Sequence, residues 1–218
     1  DDAGLSGGGD VDVNGAIASL YGTYFGPSAF IEGAIGGGLH YYDVRRQTIG
    51  GASQASTDGG QVDVMLGAGY GMRKGGLWLG PVAALRYQHT QVNGFVESGS
   101  MVPLRVEDIK NDSLITELGA SLVWDVRLGD MKLRPEVRLT WNHECLDENV
   151  AIDSRFASGA GGAFRVHSPD IGRDSLGLTA GLSNEWTDDF STSLFYGGDL
   201  ARENYSAHSM WLALIWNF

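Results

Sequence analysis

The stretch Met210-Trp211-Leu212-Ala213-Leu214-Ile215-Trp216-Asn217-Phe218 shows a regular alternation of side chains. Successive side chains of a β-strand point to opposite faces. One face therefore carries Met210, Leu212, Leu214, Trp216 and Phe218. Trp211 and Asn217 lie on the other face. A soluble protein rarely exposes an apolar strand, because an open apolar edge promotes aggregation. The stretch predicts a strand with one face turned toward an apolar environment.

Similar alternation recurs along the whole chain. In residues 61–72, for example, Val62, Val64 and Leu66 alternate with polar or small residues. The connections between such segments are alternately short, as at 73–76, and long, as at 45–60, 93–112 and 145–172. Nine strands are predicted, at residues 11–24, 29–43, 61–72, 77–92, 114–126, 131–144, 175–186, 190–200 and 210–218.

A soluble β-sandwich also shows alternating strands, and two features argue against it. Most of the segments exceed the ~5–6 residues of a typical strand and are long enough for a tilted membrane strand of ~9–11 residues. Residues 132–138 also carry four charged side chains on one face, Lys132, Arg134, Glu136 and Arg138, which would be costly to bury in a sandwich core. We therefore predict an all-β fold, an antiparallel up-and-down transmembrane β-barrel with a water-filled lumen. The predicted lumen-lining charged residues are Glu32, Asp63, Arg86, Glu117, Asp125, Arg134, Glu136, Arg138, Glu185 and Asp199.

Composition limits the possible function classes. The 218 residues carry a formal net charge of -12, which argues against a nucleic-acid partner. Mean hydropathy is -0.11, and no run of about 18 apolar residues predicts a membrane helix. The five histidines are scattered, and the single Cys145 lacks a second thiol, so neither a metal site nor a cofactor is predicted. The Gly4-x-Ser6-x-Gly8 string lacks the strand and helix of a nucleophile elbow, so no catalytic residue is assigned.

The connection lengths also predict a topology. Short turns of bacterial barrels face the periplasm and long loops face outward, which places Phe218 on the periplasmic side. With nine strands the two chain ends would lie on opposite sides, whereas such barrels have even strand numbers. We therefore expect an odd number of strands upstream of Asp1. Residues 1–10 are predicted to be an external loop or fragment start, and residues 11–218 the C-terminal part of the barrel.

The chain resembles the C-terminal translocator (β) domain of classical, type V autotransporters. The similar pieces run through the whole chain, and their order and spacing are more specific than any one of them. They are residues 20–26 (LYGTYFG), 75–81 (GGLWLGP), 92–99 (VNGFVESG), 112–119 (DSLITELG), 141–144 (WNHE), 173–176 (RDSL), 198–205 (GDLARENY) and the terminal Phe218.

The resemblance implies a twelve-stranded outer-membrane barrel, of which this chain would supply the last nine strands. It implies a non-enzymatic translocator that anchors an N-terminal passenger and supports its export from a Gram-negative-type bacterium. Implied partners are outer-membrane lipid, the barrel-assembly machinery, the passenger and a helix within the lumen. Met210, Leu212, Leu214, Trp216 and Phe218 would form the assembly signal. Two alternatives stay open: another outer-membrane barrel, such as a porin-like channel or an adhesin, and a soluble β protein or lumen-based enzyme.

Overall fold

The computed structural model describes residues 8–48, 50–129, 131–146, 149–187, 189–203 and 205–216. These residues form strands and their connections. The strands are β1 (Gly9–Phe25), β2 (Ala29–Thr48), β3 (Gly51–Tyr70), β4 (Met72–Lys74), β5 (Leu77–Val92), β6 (Phe95–Val96), β7 (Leu104–Val106), β8 (Ile109–Trp124), β9 (Val126–Leu128), β10 (Met131–Glu144), β11 (Ala151–Phe156), β12 (Phe164–His167), β13 (Asp174–Glu185), β14 (Phe190–Arg202) and β15 (Tyr205–Trp216).

Nine long strands of the described chain form one antiparallel up-and-down sheet. Their order is β1-β2-β3-β5-β8-β10-β13-β14-β15, so each strand pairs with its neighbours along the chain. The short β4 pairs with β5 beyond the end of β3, and β9 pairs with β10 beyond the end of β8. The nine predicted strands and the antiparallel all-β fold are confirmed.

Several strands are longer than predicted. The predicted loop 45–60 is wrong, because β2 and β3 stay paired up to Thr48 and Gly51. Gly9 and Asp10 pair with Arg46 and Arg45, so they belong to β1 rather than to an external loop. β15 likewise begins at Tyr205, in a stretch predicted to be loop. These extensions are polar on both faces, so they lack the apolar alternation from which strands were inferred.

One end of the sheet carries only short turns. At this short-turn end, Gly75 and Gly76 connect β4 and β5 with φ angles of 59° and 85°. Positive φ at both central residues is typical of a tight hairpin turn that matches strand twist, and glycine adopts it without steric cost. The turn between β1 and β2 is closed by the Gly26 N–H, which donates to the Ala29 carbonyl over 2.7 Å.

The opposite end carries a second sheet built from the long connections. Its order is β12-β11-β7-β6, with β6 and β7 from the β5–β8 connection and β11 and β12 from the β10–β13 connection. A bridge between Gln54 and Ser98 joins it to the β2–β3 hairpin. The sequence predicted plain loops here, since segments of two to six residues are too short to show alternation.

Candidate functional site

The two faces of the long sheet differ in chemistry. In β10, Val137, Leu139 and Trp141 are exposed on one face, which we call the outer face. The opposite face, the inner face, carries Arg138 and the buried Thr140. The pairing register keeps residues of one face together across the strands, and Arg138 meets Ser121 of β8 and Thr179 of β13. The alternation predicted from the sequence is thus continuous around the sheet.

The inner face is concave. Arg138 of β10 donates to Glu32 of β2 over 2.9 Å, although β3, β5 and β8 lie between these strands. In a flat sheet, four strand spacings would separate the two backbones by about 19 Å. Two side chains could not bridge that distance with room for a hydrogen bond. The sheet must therefore curl around the inner face, as the wall of a barrel does.

Most of the predicted charged residues share two cavities on this inner face. The first cavity, of about 330 Å³, is lined by Arg86, Glu117, Arg138 and Asp199, among others. The second, of about 300 Å³ near the short turns, is lined by Glu32, Arg134, Glu136 and again Arg138. These residues come from five different strands, and their only shared signal in the sequence was their position opposite the apolar side chains.

The other predicted charged residues lie outside these two cavities. Asp125 lies 3.4 Å from Arg73 and 3.8 Å from Arg134, next to the short turns. Glu185 lies 3.1 Å from Lys132 on the neighbouring strand. Asp63 accepts a hydrogen bond from Gln61 over 2.8 Å. These carboxylates thus have polar or cationic neighbours of their own.

Glycines of the inner face make room for neighbouring aromatic rings. A Cβ on Gly69 would overlap the Phe30 ring, and one on Gly71 would overlap the Trp78 ring. Farther along the same inner face, on β13, a Cβ on Gly181 would overlap the Phe195 ring of β14. The rings therefore occupy the space that side chains at these three positions would fill. No partners for these glycines could be predicted from the sequence.

The last strand shows the predicted division of side chains. Met210, Leu212, Leu214 and Trp216 are all exposed on the outer face, at 63–71 % of their full areas. On the inner face, Trp211 stacks on Phe195 with ring centroids 5.5 Å apart. Phe218 and Asn217 lie outside the described residues. The described part of the predicted assembly signal is therefore a continuous apolar stripe.

Two aromatic–histidine–aspartate groups lie on the outer face toward the long-loop end. Asp112 accepts hydrogen bonds from the Tyr87 hydroxyl over 2.6 Å and pairs with the His89 ring over 2.9 Å. Asp174 does the same with the Trp141 indole N–H and the His143 ring, both at 2.9 Å. The sequence analysis missed these groups. The aromatic-x-His spacing in β5 and β10 was the available signal, but the aspartates come from neighbouring strands.

The first long connection is fixed to the barrel wall by an ion pair between the partly exposed Arg46 and the buried Glu97. The Arg46 guanidinium donates to both carboxylate oxygens of Glu97, over 3.0 and 2.6 Å, and the Leu104 N–H donates to the same carboxylate over 2.9 Å. Burial raises the pKa of the Glu97 carboxyl, but the hydrogen bonds from Arg46 and Leu104 and the Arg46 charge outweigh it and hold this pKa below its ordinary value. Glu97 is therefore a buried carboxylate that is charged at neutral pH.

Features that would indicate other functions do not converge on one place. His143 and Glu144 point to opposite faces, and Glu144 accepts from Ser113 and the Leu114 N–H inside the barrel. Cys145 is exposed beside them. Among the described residues, no cluster of three or more His, Cys, Asp or Glu side chains could hold a metal ion. The described part of the chain also has no helix long and apolar enough to cross a membrane. Of the Gly4–Gly8 string, only Gly8 falls within the described residues.

Comparisons with known proteins agree with this architecture. The family model of the autotransporter β-domain matches residues 1–197. The translocator domain of autotransporter NalP from Neisseria meningitidis is a similar solved structure, with a TM-score of 0.71 at 14% sequence identity. The match covers 95% of this chain and 69% of that chain. No curated protein sequence matches. On the family match, this chain belongs to the autotransporter β-domain family.

Proposed function

We propose that this chain is the membrane wall of a translocator that anchors an N-terminal passenger in the outer membrane and supports its export. Outer-membrane translocation of a passenger is the function of the family to which the chain belongs. The observation that carries the proposal is a curved sheet with an apolar outer face and a charged inner face. Lipid would cover the outer face, and water or polypeptide would occupy the lumen.

We further propose the orientation of this wall. The long connections, which form their own sheet, would face outward, and the short turns would face the periplasm, as is usual for bacterial barrels. β15 returns from the long-loop end, so its last described residue, Trp216, would lie at the periplasmic side. Tyr24, Trp124 and Trp186 are exposed and would then lie at the periplasmic boundary of the membrane. Tyr41, Tyr87 and Trp141 are also exposed and would lie at the external boundary.

The free edges of the sheet support a larger barrel. Within the described residues, β1 pairs only with β2 and β15 pairs only with β14. An unpaired edge inside a bilayer leaves backbone groups without hydrogen-bond partners, which is very costly. We propose that further strands of the same protein join the two edges, as in the predicted twelve-stranded barrel. The solved translocator domain is matched over only 69% of its length, which is consistent with additional strands.

The apolar stripe of β15 is proposed as the signal read by the barrel-assembly machinery. Its outer-face residues, together with Phe218, would be recognised before the strand is embedded in lipid. The role of the wall itself is proposed to be mechanical rather than chemical, with no catalytic residue among those named above. The inner-face charges would keep the lumen hydrated and position a helix or a passenger segment within it.

Surface display of the passenger by the full-length protein tests the proposed function. In intact cells, externally added protease should remove the passenger while the barrel remains in the membrane as a heat-modifiable band. A variant with a lysine in place of Leu212, on the lipid-facing stripe, should reduce both signals together. The proposal fails if the full-length protein is recovered without detergent, or if the barrel assembles while the passenger stays protected inside the cell.

A further inference from the structure

The apolar cluster of the long sheet lies on the inner face of the wall. Trp78, Val82 and Val123 are among the few buried apolar side chains of the described residues, and Phe30 packs against them. All four point to the same side as Glu32 and Arg138. In an aqueous channel this face would be polar throughout. The short-turn half of the lumen is instead lined in part by aromatic and aliphatic side chains.

The aromatic layer of this cluster packs over glycines of the wall. The rings of Phe30 and Trp78 lie 5.7 Å apart, over the positions where Gly69 and Gly71 lack a side chain. Phe25 continues the layer, with its ring 6.3 Å from that of Phe30. Gly69 near the end of β3 and Gly71 just after it thus make room for rings of β2 and β5, two strands that are not adjacent to each other.

The Arg138 side chain crosses the lumen next to this aromatic layer. Its guanidinium lies 5.8 Å from the centre of the Phe30 ring and donates to Glu32 over 2.9 Å. Other inner-face ion pairs, such as Arg86–Glu117 between neighbouring strands, run along the wall. The Arg138–Glu32 pair instead connects strands separated by three others. It therefore spans the lumen, whereas the other ion pairs follow the wall.

Arg138 also separates the two inner-face cavities. Among the described residues, Arg138 alone lines both the second cavity, near the short turns, and the first cavity. Its Nε is buried and has no hydrogen-bond partner among the described residues. The Arg138 guanidinium therefore lacks one of its possible hydrogen bonds. Its side chain can also move away from Glu32 without breaking a backbone hydrogen bond of the wall.

We propose that Phe30, Glu32, Trp78 and Arg138 form a gate that limits ion flow through the part of the lumen that polypeptide does not fill. This inference rests on the proposed function, since a gate has meaning only in a membrane-spanning barrel. The aromatic layer narrows the pore and disfavours water, as hydrophobic constrictions in channels do. The Arg138–Glu32 ion pair spans the remaining gap and obstructs the path of ions. An extended chain passing through the lumen displaces this ion pair and opens the gate.

Conductance of the full-length protein in planar lipid bilayers tests the gate. Arg138→Ala should raise single-channel conductance by about twofold or more, because loss of this side chain joins the two cavities into one path. Glu32→Ala should act in the same direction. The exchanged pair Glu32→Arg with Arg138→Glu should return conductance toward the wild-type value. The matched control is Arg86→Ala, whose ion pair lies along the wall and whose loss should change conductance much less.

Each variant is also checked for heat-modifiable migration, which reports a folded barrel. Unchanged conductance in a folded, inserted Arg138→Ala variant would overturn the gate and leave the proposed function intact. An increase of the same size in Arg86→Ala would also overturn it, because a general loss of lumen charge would then explain the result. Failure of the wild-type protein to insert into bilayers at all would contradict the proposed membrane function itself.

Discussion

Successive side chains of β15 lie on opposite faces of the sheet, so two neighbouring residues meet different environments. Leu212 is exposed on the apolar outer face, and Ala213 next to it is on the inner face. With lipid on the outer face, as proposed, a charge placed there would have to leave water, whereas a charge on the inner face would not. The cost of a substitution should therefore depend on parity more than on position along the strand.

Leu212→Lys should lower the amount of assembled barrel, because lysine near the membrane midplane costs ~2–4 kcal/mol. Ala213→Lys is the matched control, since the same side chain enters the lumen one residue further on. Heat-modifiable migration of the full-length protein in outer-membrane fractions measures the assembled amount. Equal losses in the two variants would contradict the assignment of the faces.

Gly181 shows how tightly the inner wall is packed. Gly181→Val should destabilise the barrel by ~1–3 kcal/mol, because the added side chain overlaps the Phe195 ring. Phe195→Ala in the same chain should recover part of that loss, since the two residues compete for one space. Unfolding in urea, followed by the loss of heat-modifiable migration, gives the energies. Additive effects of the two substitutions would show that the ring does not occupy this site.

Among the larger elements, the first long connection depends on the Arg46–Glu97 pair. The Glu97 pKa lies below its ordinary value in the folded protein. Such a group stabilises the fold fully above the ordinary carboxyl pKa of ~4.3, and the contribution is lost as the pH falls through the folded-state pKa. We expect segment 93–108 to become protease-sensitive at acidic pH before the barrel wall unfolds.

Limited proteolysis of the full-length protein, with a protease that is active at both acidic and neutral pH, measures this effect. The Glu97→Gln variant should be sensitive already at neutral pH, and its sensitivity should vary little with pH. A Glu97→Gln connection as resistant as that of the wild-type protein at neutral pH would show that the ion pair does not hold this segment.

The long strands could be read from the sequence because alternate residues differ in chemistry along them. Residues 131–142 illustrate this, as apolar side chains alternate there with charged or polar ones along most of β10. The extensions at 45–60 and 205–209 could not be recognised, because both of their faces are polar. β11 and β12 were missed for a different reason: both are short, and the second partner of β11 is β7, which comes from another connection.

The candidate site was predictable only in part. Parity placed Glu32 and Arg138 on the same face, yet it could not show that they meet, since 106 residues separate them. Their contact depends on how strongly the sheet curls. The seating of Phe30 on Gly69 was hidden for a similar reason, because it depends on the register between β2 and β3. The sequence thus predicts the face of a residue well and its distant neighbours poorly.

The whole molecule is a curved wall with different solvents proposed on its two sides, and this division underlies both the translocator and the gate. The full-length protein in outer membranes can be tested for it with single cysteines in a Cys145→Ser background. Cysteines at Arg134 and Glu136 should react with a membrane-impermeant maleimide from the aqueous lumen. Cysteines at Val137 and Leu139 should stay unlabelled until the membrane is dissolved. Labelling of all four positions at the same rate would contradict a lipid-facing outer side and with it the translocator assignment of this wall.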